Sequence, residues 1–401
     1  MSQLYFPFPT EELTEGSVTL TIPKLTLFSK GPSEYIPSKA PVFYNPLMEL
    51  NRDVAVLALK VYQKKINQHL QICDPFTGCG VRGLRFTREV EGVDFTVLND
   101  IGLNAARLAW FNTKKNGLDV KVVVERMDAR ALLGNYASYE GFNAIDLDPY
   151  GSPSRFLGFA LAALKNRGLL ALTATDTGPL CGINSKACIR KYFAKSLRTE
   201  YCHELALRIL INSVACSAAR YNRGINILFS HSTDHYIRAY VQVRHGAKRG
   251  DEAMKNVGYI LHCFKCLNRK WILGLVSSLD ARCEVCGDKL AIAGPLWLGE
   301  LADLDFCREI YEEAKKTFPV EKKRLLKLLF LAVEEVNMPP TYFIVDKVCK
   351  KLGLSSVSRD RIINKLVRMG YEATRTHFNS HGIKSNASIS TINETVKEIV
   401  A

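Results

Sequence analysis

The residues best suited to chemistry lie where apolar runs stop. "AIDLDPYGSP" (144–153) starts as an apolar strand and breaks on Asp146, Asp148, Pro149 and Tyr150. A carboxylate at such a break can accept a proton from an amine, and a flat aromatic beside it can stack on a ring. Asp146 points to the same strand face as Asp148, because side chains alternate along a strand. Three other strand ends carry comparable residues. "LQICD" (70–74) runs into "DPFTGCGVRG" (74–83), where Gly78, Gly80 and Gly83 permit a tight turn and close approach of a ligand. No Gly-Lys-Ser/Thr follows, so this is not a phosphate-binding P-loop. "DFTVLND" (94–100) ends at Asp100, where a carboxylate can accept hydrogen bonds from ribose hydroxyls. "VKVVVERMDA" (120–129) ends at Asp128 and Ala129, an acid and a backbone amide that can meet an adenine edge. Together these ends predict a site for a nucleoside-type cofactor. Cys79, in the glycine-rich turn, reads as a small packing residue.

Elements that alternate along the chain must position these residues. Helices are expected over 51–66, 81–90, 103–117 and 153–168, with strands over 70–74, 94–100, 120–129, 142–149 and 169–176. Such alternation predicts a parallel sheet with helices on both faces. A long helical segment follows over 186–221, and then two β-rich runs, "GINILFSHSTD" and "HYIRAYVQVR", form a hairpin expected at the sheet edge. This layout resembles class I S-adenosylmethionine (SAM)-dependent methyltransferases.

The composition points to an anionic partner. The net charge is +14, from 54 Lys+Arg against 40 Asp+Glu. Residues 182–249 hold twelve basic groups and three acids (+9), and residues 346–384 hold nine and three (+6). Charge concentrated in blocks suits a nucleic-acid surface. No apolar run approaches the ~18 residues of a membrane span, and the N-terminus lacks a signal-peptide pattern. The expectation is a soluble cytoplasmic protein without an obligatory protein partner.

Asp148-Pro149-Tyr150-Gly151 resembles the (D/N)-P-P-Y signature of methyltransferases that modify exocyclic amines. With "PVFYNPLMELNRD" (41–53), "DPFTGCGVRGLRF" (74–86), "LNDIG" (98–102), "LTATDTGPLCG" (172–182) and "TRTHFNSHGIKSNA" (374–387), the whole chain resembles the tRNA (guanine(26)-N2)-dimethyltransferases. The resemblance implies a Rossmann-like catalytic domain that moves one or two methyl groups from SAM to N2 of guanine 26. It implies Asp148 as the catalytic acid–base residue, with Phe43 and Tyr150 as a sandwich for the guanine. Arg52, Arg82, Asp100, Asp128 and Ala129 would form the cofactor pocket. Many family members have Phe where this chain has Tyr150; stacking survives, but the hydroxyl needs a partner.

"CFKC" (263–266) and "CEVC" (283–286) give a Cys-x2-Cys, sixteen residues, Cys-x2-Cys pattern. This is zinc-ribbon spacing, and four thiolates from Cys263, Cys266, Cys283 and Cys286 leave no open coordination position, so the Zn2+ would be structural. It would steady a region carrying Lys270 and Trp271 next to RNA. Three helices and a small wing from about residue 320 suggest a winged-helix module, in which Arg375, His377, Phe378 and Lys384 would grip tRNA. The expected division is 1–245 catalytic, 246–320 zinc-ribbon-like and 321–401 winged-helix-like, the last two forming an α+β C-terminal domain. Two alternatives stand beside this: methylation of another exocyclic amine in RNA, and a non-catalytic tRNA-binding factor.

Overall fold

The computed structural model describes residues 6–28, 36–138, 141–275, 281–318 and 322–400. The first five residues of the N-terminal stretch and the boundary expected at 320–321 lie outside them. The chain divides into two compact units: Met1–Pro149 with Phe156–Leu172, and Tyr150–Arg155 with Thr173–Ala401.

The first unit opens with an antiparallel hairpin that the sequence reading did not anticipate, β1 (Thr10–Glu15) and β2 (Val18–Pro23). Helix α1 (Glu49–Ile66) follows, then β3 (Leu70–Asp74), α2 (Val81–Glu89), β4 (Val93–Asn99), α3 (Leu103–Lys115), β5 (Val122–Glu125), α4 (Ala129–Ala137), β6 (Phe142–Leu147) and α5 (Leu157–Ala163). Strand β7 (Leu164–Ala174) closes the series and carries the chain into the second unit. The strands of this unit lie in the order β5-β4-β3-β6-β7, all parallel. Every residue of β6 is buried, as a central parallel strand requires. That order brings the ends of β3 and β6 side by side, so their acids meet.

Two expected helices are cut short. The 153–168 helix stops at Ala163, because Leu164 already pairs with Phe142 in the sheet. Arg167 then takes a left-handed φ of +65°, and its carbonyl accepts from the Tyr62 hydroxyl at 2.6 Å. The 186–221 helix is two helices, Ser185–Tyr192 and Cys202–Ala219. Phe193 ends the first at φ +53°, and Lys195 then exchanges backbone hydrogen bonds with Gly294 at 2.9 Å in both directions. Tertiary pairing overrides helical propensity in both places.

In the second unit, β8 (Arg223–Thr233) and β9 (Tyr236–His245) form the expected antiparallel hairpin. Arg238 of β9 donates to the Thr173 hydroxyl at the end of β7 (2.7 Å). A three-stranded antiparallel sheet follows, β10 (Val257–His262), β11 (Arg269–Leu273) and β12 (Ala291–Trp297), in the order β11-β10-β12. The C-terminal section has helices Lys323–Glu335, Val345–Leu352 and Arg359–Arg368, three short strands and a last helix, Ile389–Val400. Val348, Ile362, Leu366, Ile383, Ile392 and Val396 form much of its core.

A buried charge cluster ties the N-terminal hairpin to α1 and α2. Arg52 of α1 donates twice to Glu15 (2.6 and 2.5 Å). Arg85 of α2, fully buried, meets Glu15 (2.9 Å), Asp53 (2.8 Å) and Glu89 (2.8 Å). Burial alone would raise Glu15, but the two guanidiniums hold its carboxyl below the ordinary value. Removing one cation strands the acids in a dry environment, which costs ~3–5 kcal/mol. Arg85→Met is therefore expected to lose stability of that order in urea unfolding; a loss under ~1 kcal/mol would show that the acids find other partners.

Candidate active site

The carboxyl ends of β3 and β6 place three acids around one guanidinium. Arg82, in the first turn of α2, is buried and donates from Nη2 to Asp148 Oδ2 at 2.5 Å. Its Nε lies 3.7 Å from Asp146 Oδ1. Asp74, at the end of β3, accepts from the Thr77 hydroxyl at 3.0 Å. Burial, and then the charge of Asp146, push Asp74 up to about 7, while Arg82 and Thr77 pull the other way. Gly83 lets α2 pack closely on β4, since a Cβ there would meet Leu98 Cδ2 at 2.1 Å. Arg82 thus faces these acids together, and burial favours the protonated form of Asp74. Asp146, whose role the sequence reading left open, is buried beside Arg82.

The expected cofactor residues fall into two groups. Asp100 lies at the glycine-rich turn and accepts from the Gly78 amide (3.1 Å) and the Gly102 amide (2.8 Å). Burial raises its carboxyl, and those two amides oppose the rise. Gly78 also lets the 41–48 segment close in, since a Cβ there would lie 2.9 Å from the Phe43 carbonyl oxygen. Asp128 caps α4 through the Arg130 amide (2.8 Å), and the Arg130 guanidinium pairs with it. That pairing brings its exposed carboxyl down to about 2. Ala129 is the buried first residue of α4. Arg52 is engaged by Glu15 and the Asn45 carbonyl (3.1 Å). Phe43 is 48 % exposed.

Tyr150 opens the other unit and is 85 % exposed. The turn after it is pinned: Gly151 and Thr175 exchange hydrogen bonds, amide to hydroxyl (2.8 Å) and amide to carbonyl (3.0 Å). "LTATDTGPLCG" supplies that threonine. It also supplies Asp176, which the sequence reading passed over. Asp176 accepts from the Tyr192 hydroxyl (2.7 Å) and pairs with Lys191 (2.9 Å), and Ser152 donates to Tyr192 (2.7 Å). A lone acid after an apolar run was the available signal.

The four cysteines of the zinc pattern converge, their sulfurs all within 4.8 Å of one another. Cys263–Cys286 and Cys266–Cys283 are each 3.5 Å apart. Bonds of about 2.3 Å to a tetrahedral ion would set sulfurs about 3.8 Å apart, so the cage fits Zn2+. Burial raises the Cys283 thiol, but the Cys286 and Val285 amides and Cys266 bring it down to about 7. Trp271 is 44 % exposed on β11.

The C-terminal motif needs correction. His377, Phe378 and Lys384 are not exposed gripping residues. Lys384 is buried against Glu204 (3.0 Å), and Phe378 is buried against Tyr342. His377 and Thr376 both bind Glu335. Arg375 alone of the four has an exposed side chain, paired with Asp360 at 2.6 Å. Arg208 and Arg238, counted in the basic blocks, are buried too. Thr376, His377 and Lys384 meet buried acids rather than face solvent.

A parallel sheet with acids clustered at its carboxyl edge has the layout of a Rossmann-like class I methyltransferase fold. A solved Trm1 from Pyrococcus horikoshii, in complex with S-adenosyl-L-methionine, is similar at a TM-score of 0.84 and 34% identity, covering 96% of this chain and 99% of that one. The family model for N2,N2-dimethylguanosine tRNA methyltransferases matches residues 16–397, and the chain belongs to that family. A tRNA (guanine(26)-N(2))-dimethyltransferase of Methanobrevibacter smithii is 42% identical over 91% of this chain and 93% of its own length. A tRNA (guanine(26)-N(2)/guanine(27)-N(2))-dimethyltransferase of Aquifex aeolicus is 34% identical, over 97% and 96% respectively. No described helix is long and apolar enough to cross a membrane.

Two outcomes follow from this geometry. Asp74 is raised in the fold, so it contributes stability below the unfolded-state value near 3.8 that is lost as pH climbs to about 7. Asp74→Asn should therefore gain stability relative to wild type between pH 4 and pH 8, read by denaturant titrations across that range; a constant difference would contradict the raised value. For the cysteine cage, Cys266→Ser should lose about one equivalent of zinc and several degrees of thermal stability, seen by metal analysis and calorimetry.

Proposed function

We propose that this chain transfers one or two methyl groups from SAM to the exocyclic N2 of guanine 26 in tRNA. The observation that carries the reading is Asp148, held at the carboxyl end of β6 by Arg82 in a chain of this family. SAM supplies the methyl group as an electrophilic sulfonium. The lone pair of N2 is delocalised into the guanine ring, so the amine gains nucleophilicity as it gives up its proton. Asp148 accepts that proton, and Arg82 fixes the direction of its carboxylate. Phe43 and Tyr150 offer exposed aromatic faces for the extruded base, stacking worth ~1–3 kcal/mol per face. Asp100 serves the ribose, Asp128 and Ala129 the adenine edge, and Arg52 and Arg82 the rest of the cofactor.

The same reading places residues 1–245 as the catalytic domain, 246–320 as a zinc-ribbon-like segment and 321–401 as a winged-helix-like tRNA-binding module. It describes a cytoplasmic enzyme that binds tRNA without an obligatory protein partner. Incubation of an unmodified tRNA transcript with the chain and SAM, with nucleosides mapped by mass spectrometry, tests the substrate atom. Methyl groups on adenine N6, or none at all, would overturn it. Asp148→Ala should lower transfer ~10²–10⁴-fold while SAM binding, followed by calorimetry, stays largely intact. Near-wild-type turnover in that variant would remove Asp148 from the mechanism.

A further inference from the structure

Outside the four-cysteine cage, three more metal-ligating side chains converge in the second unit. The sulfurs of Cys181 and Cys202 and a ring nitrogen of His203 lie within 4.8 Å of one another. Cys181 Sγ is 3.7 Å from His203 Nδ1. A tetrahedral Zn2+ with ordinary bond lengths would set a sulfur and an imidazole nitrogen about 3.5–3.6 Å apart. We propose that Cys181, Cys202 and His203 form a second metal site, suited to a thiophilic divalent cation such as Zn2+.

The backbone brings these ligands together. Cys181 closes the "TDTGPLCG" turn, its amide donating to Thr177 O at 2.7 Å. Gly182 follows at φ +86°, and a Cβ there would lie 2.4 Å from the Arg198 amide nitrogen. Glycine thus lets the turn press on the segment that leads into Cys202 and His203. Those two residues open the helix Cys202–Ala219.

The chemistry of the three groups agrees with that placement. Two sulfurs and an imidazole nitrogen are soft-to-borderline donors, the set that suits a thiophilic divalent cation. Two thiolates cancel the charge of a divalent ion, which suits a half-buried site. A disulfide would use the two cysteines but gives no role to the histidine. Three protein ligands also leave a fourth position for solvent, unlike the closed four-thiolate cage.

Co2+ titration of the metal-stripped full chain tests the site. Wild type should bind about one equivalent more than Cys181→Ser or Cys202→Ser, and the lost absorption should be that of a mixed sulfur–nitrogen ligand set. Cys266→Ser should instead remove the all-sulfur absorption. In wild type, metal should protect Cys202 from iodoacetamide, and a chelator should restore its labelling, mapped by mass spectrometry. That measurement decides the matter if the serine variants lose their circular-dichroism spectrum. Equal stoichiometry in wild type and folded Cys181→Ser would overturn the proposal. So would metal-independent labelling of Cys202, or a Cys181–Cys202 disulfide in the purified chain.

Discussion

A guanidinium buried among carboxylates organises the carboxyl edge of the parallel sheet. Arg82 cannot be removed from water without anions, and the ends of β3 and β6 supply them in Asp74, Asp146 and Asp148. The anions in turn cannot be packed together without Arg82. Parallel strand order is what enforces the meeting, since residues 70–74 and 142–147 are far apart in the chain but adjacent in the sheet. Asp148 is thereby held by its place at the end of β6 and by its pairing with Arg82.

Much of this was legible in the sequence because it obeys periodic rules. Apolar runs ending in Asp74, Asp100 and Asp148 mark strand ends to within a residue, and glycines mark the turn after β3, whereas the strand expected over 120–129 stops at Glu125 and Asp128 caps α4. The paired Cys-x2-Cys motifs place four sulfurs together whatever the surrounding fold. What sequence could not show was long-range pairing. The N-terminal hairpin has alternation weakened by glutamates, and Glu15 reads as a surface acid until Arg52 and Arg85 are seen around it. The break at 193–201 depends on Gly294, a hundred residues distant. The motif at 374–387 misled for a related reason. His377 and Lys384 look like RNA contacts by residue type, but Glu335 and Glu204 bury them. Residue type shows that a charge exists, and only the fold shows which way it faces.

The two cysteine clusters illustrate different ways of joining segments. The four-thiolate cage links the ends of β10 and the 283–286 knuckle within one small sheet. The proposed three-ligand site links a turn to the start of a long helix, with one coordination position left over. The first restrains a ribbon; the second would restrain a junction and remain responsive to small ligands or to redox conditions.

Glu15 also constrains the order of events during synthesis. Its hairpin is finished early, but its contact with Arg85 spans 70 residues of chain. Until α2 is made, that carboxylate has Arg52 alone of its two arginines, and the hairpin's Val18, Leu20 and Ile22 lack the α2 and α3 side chains they pack on. The hairpin is thus completed only by contacts of long sequence separation, which slow folding, so its docking is ordered by where Arg85 lies.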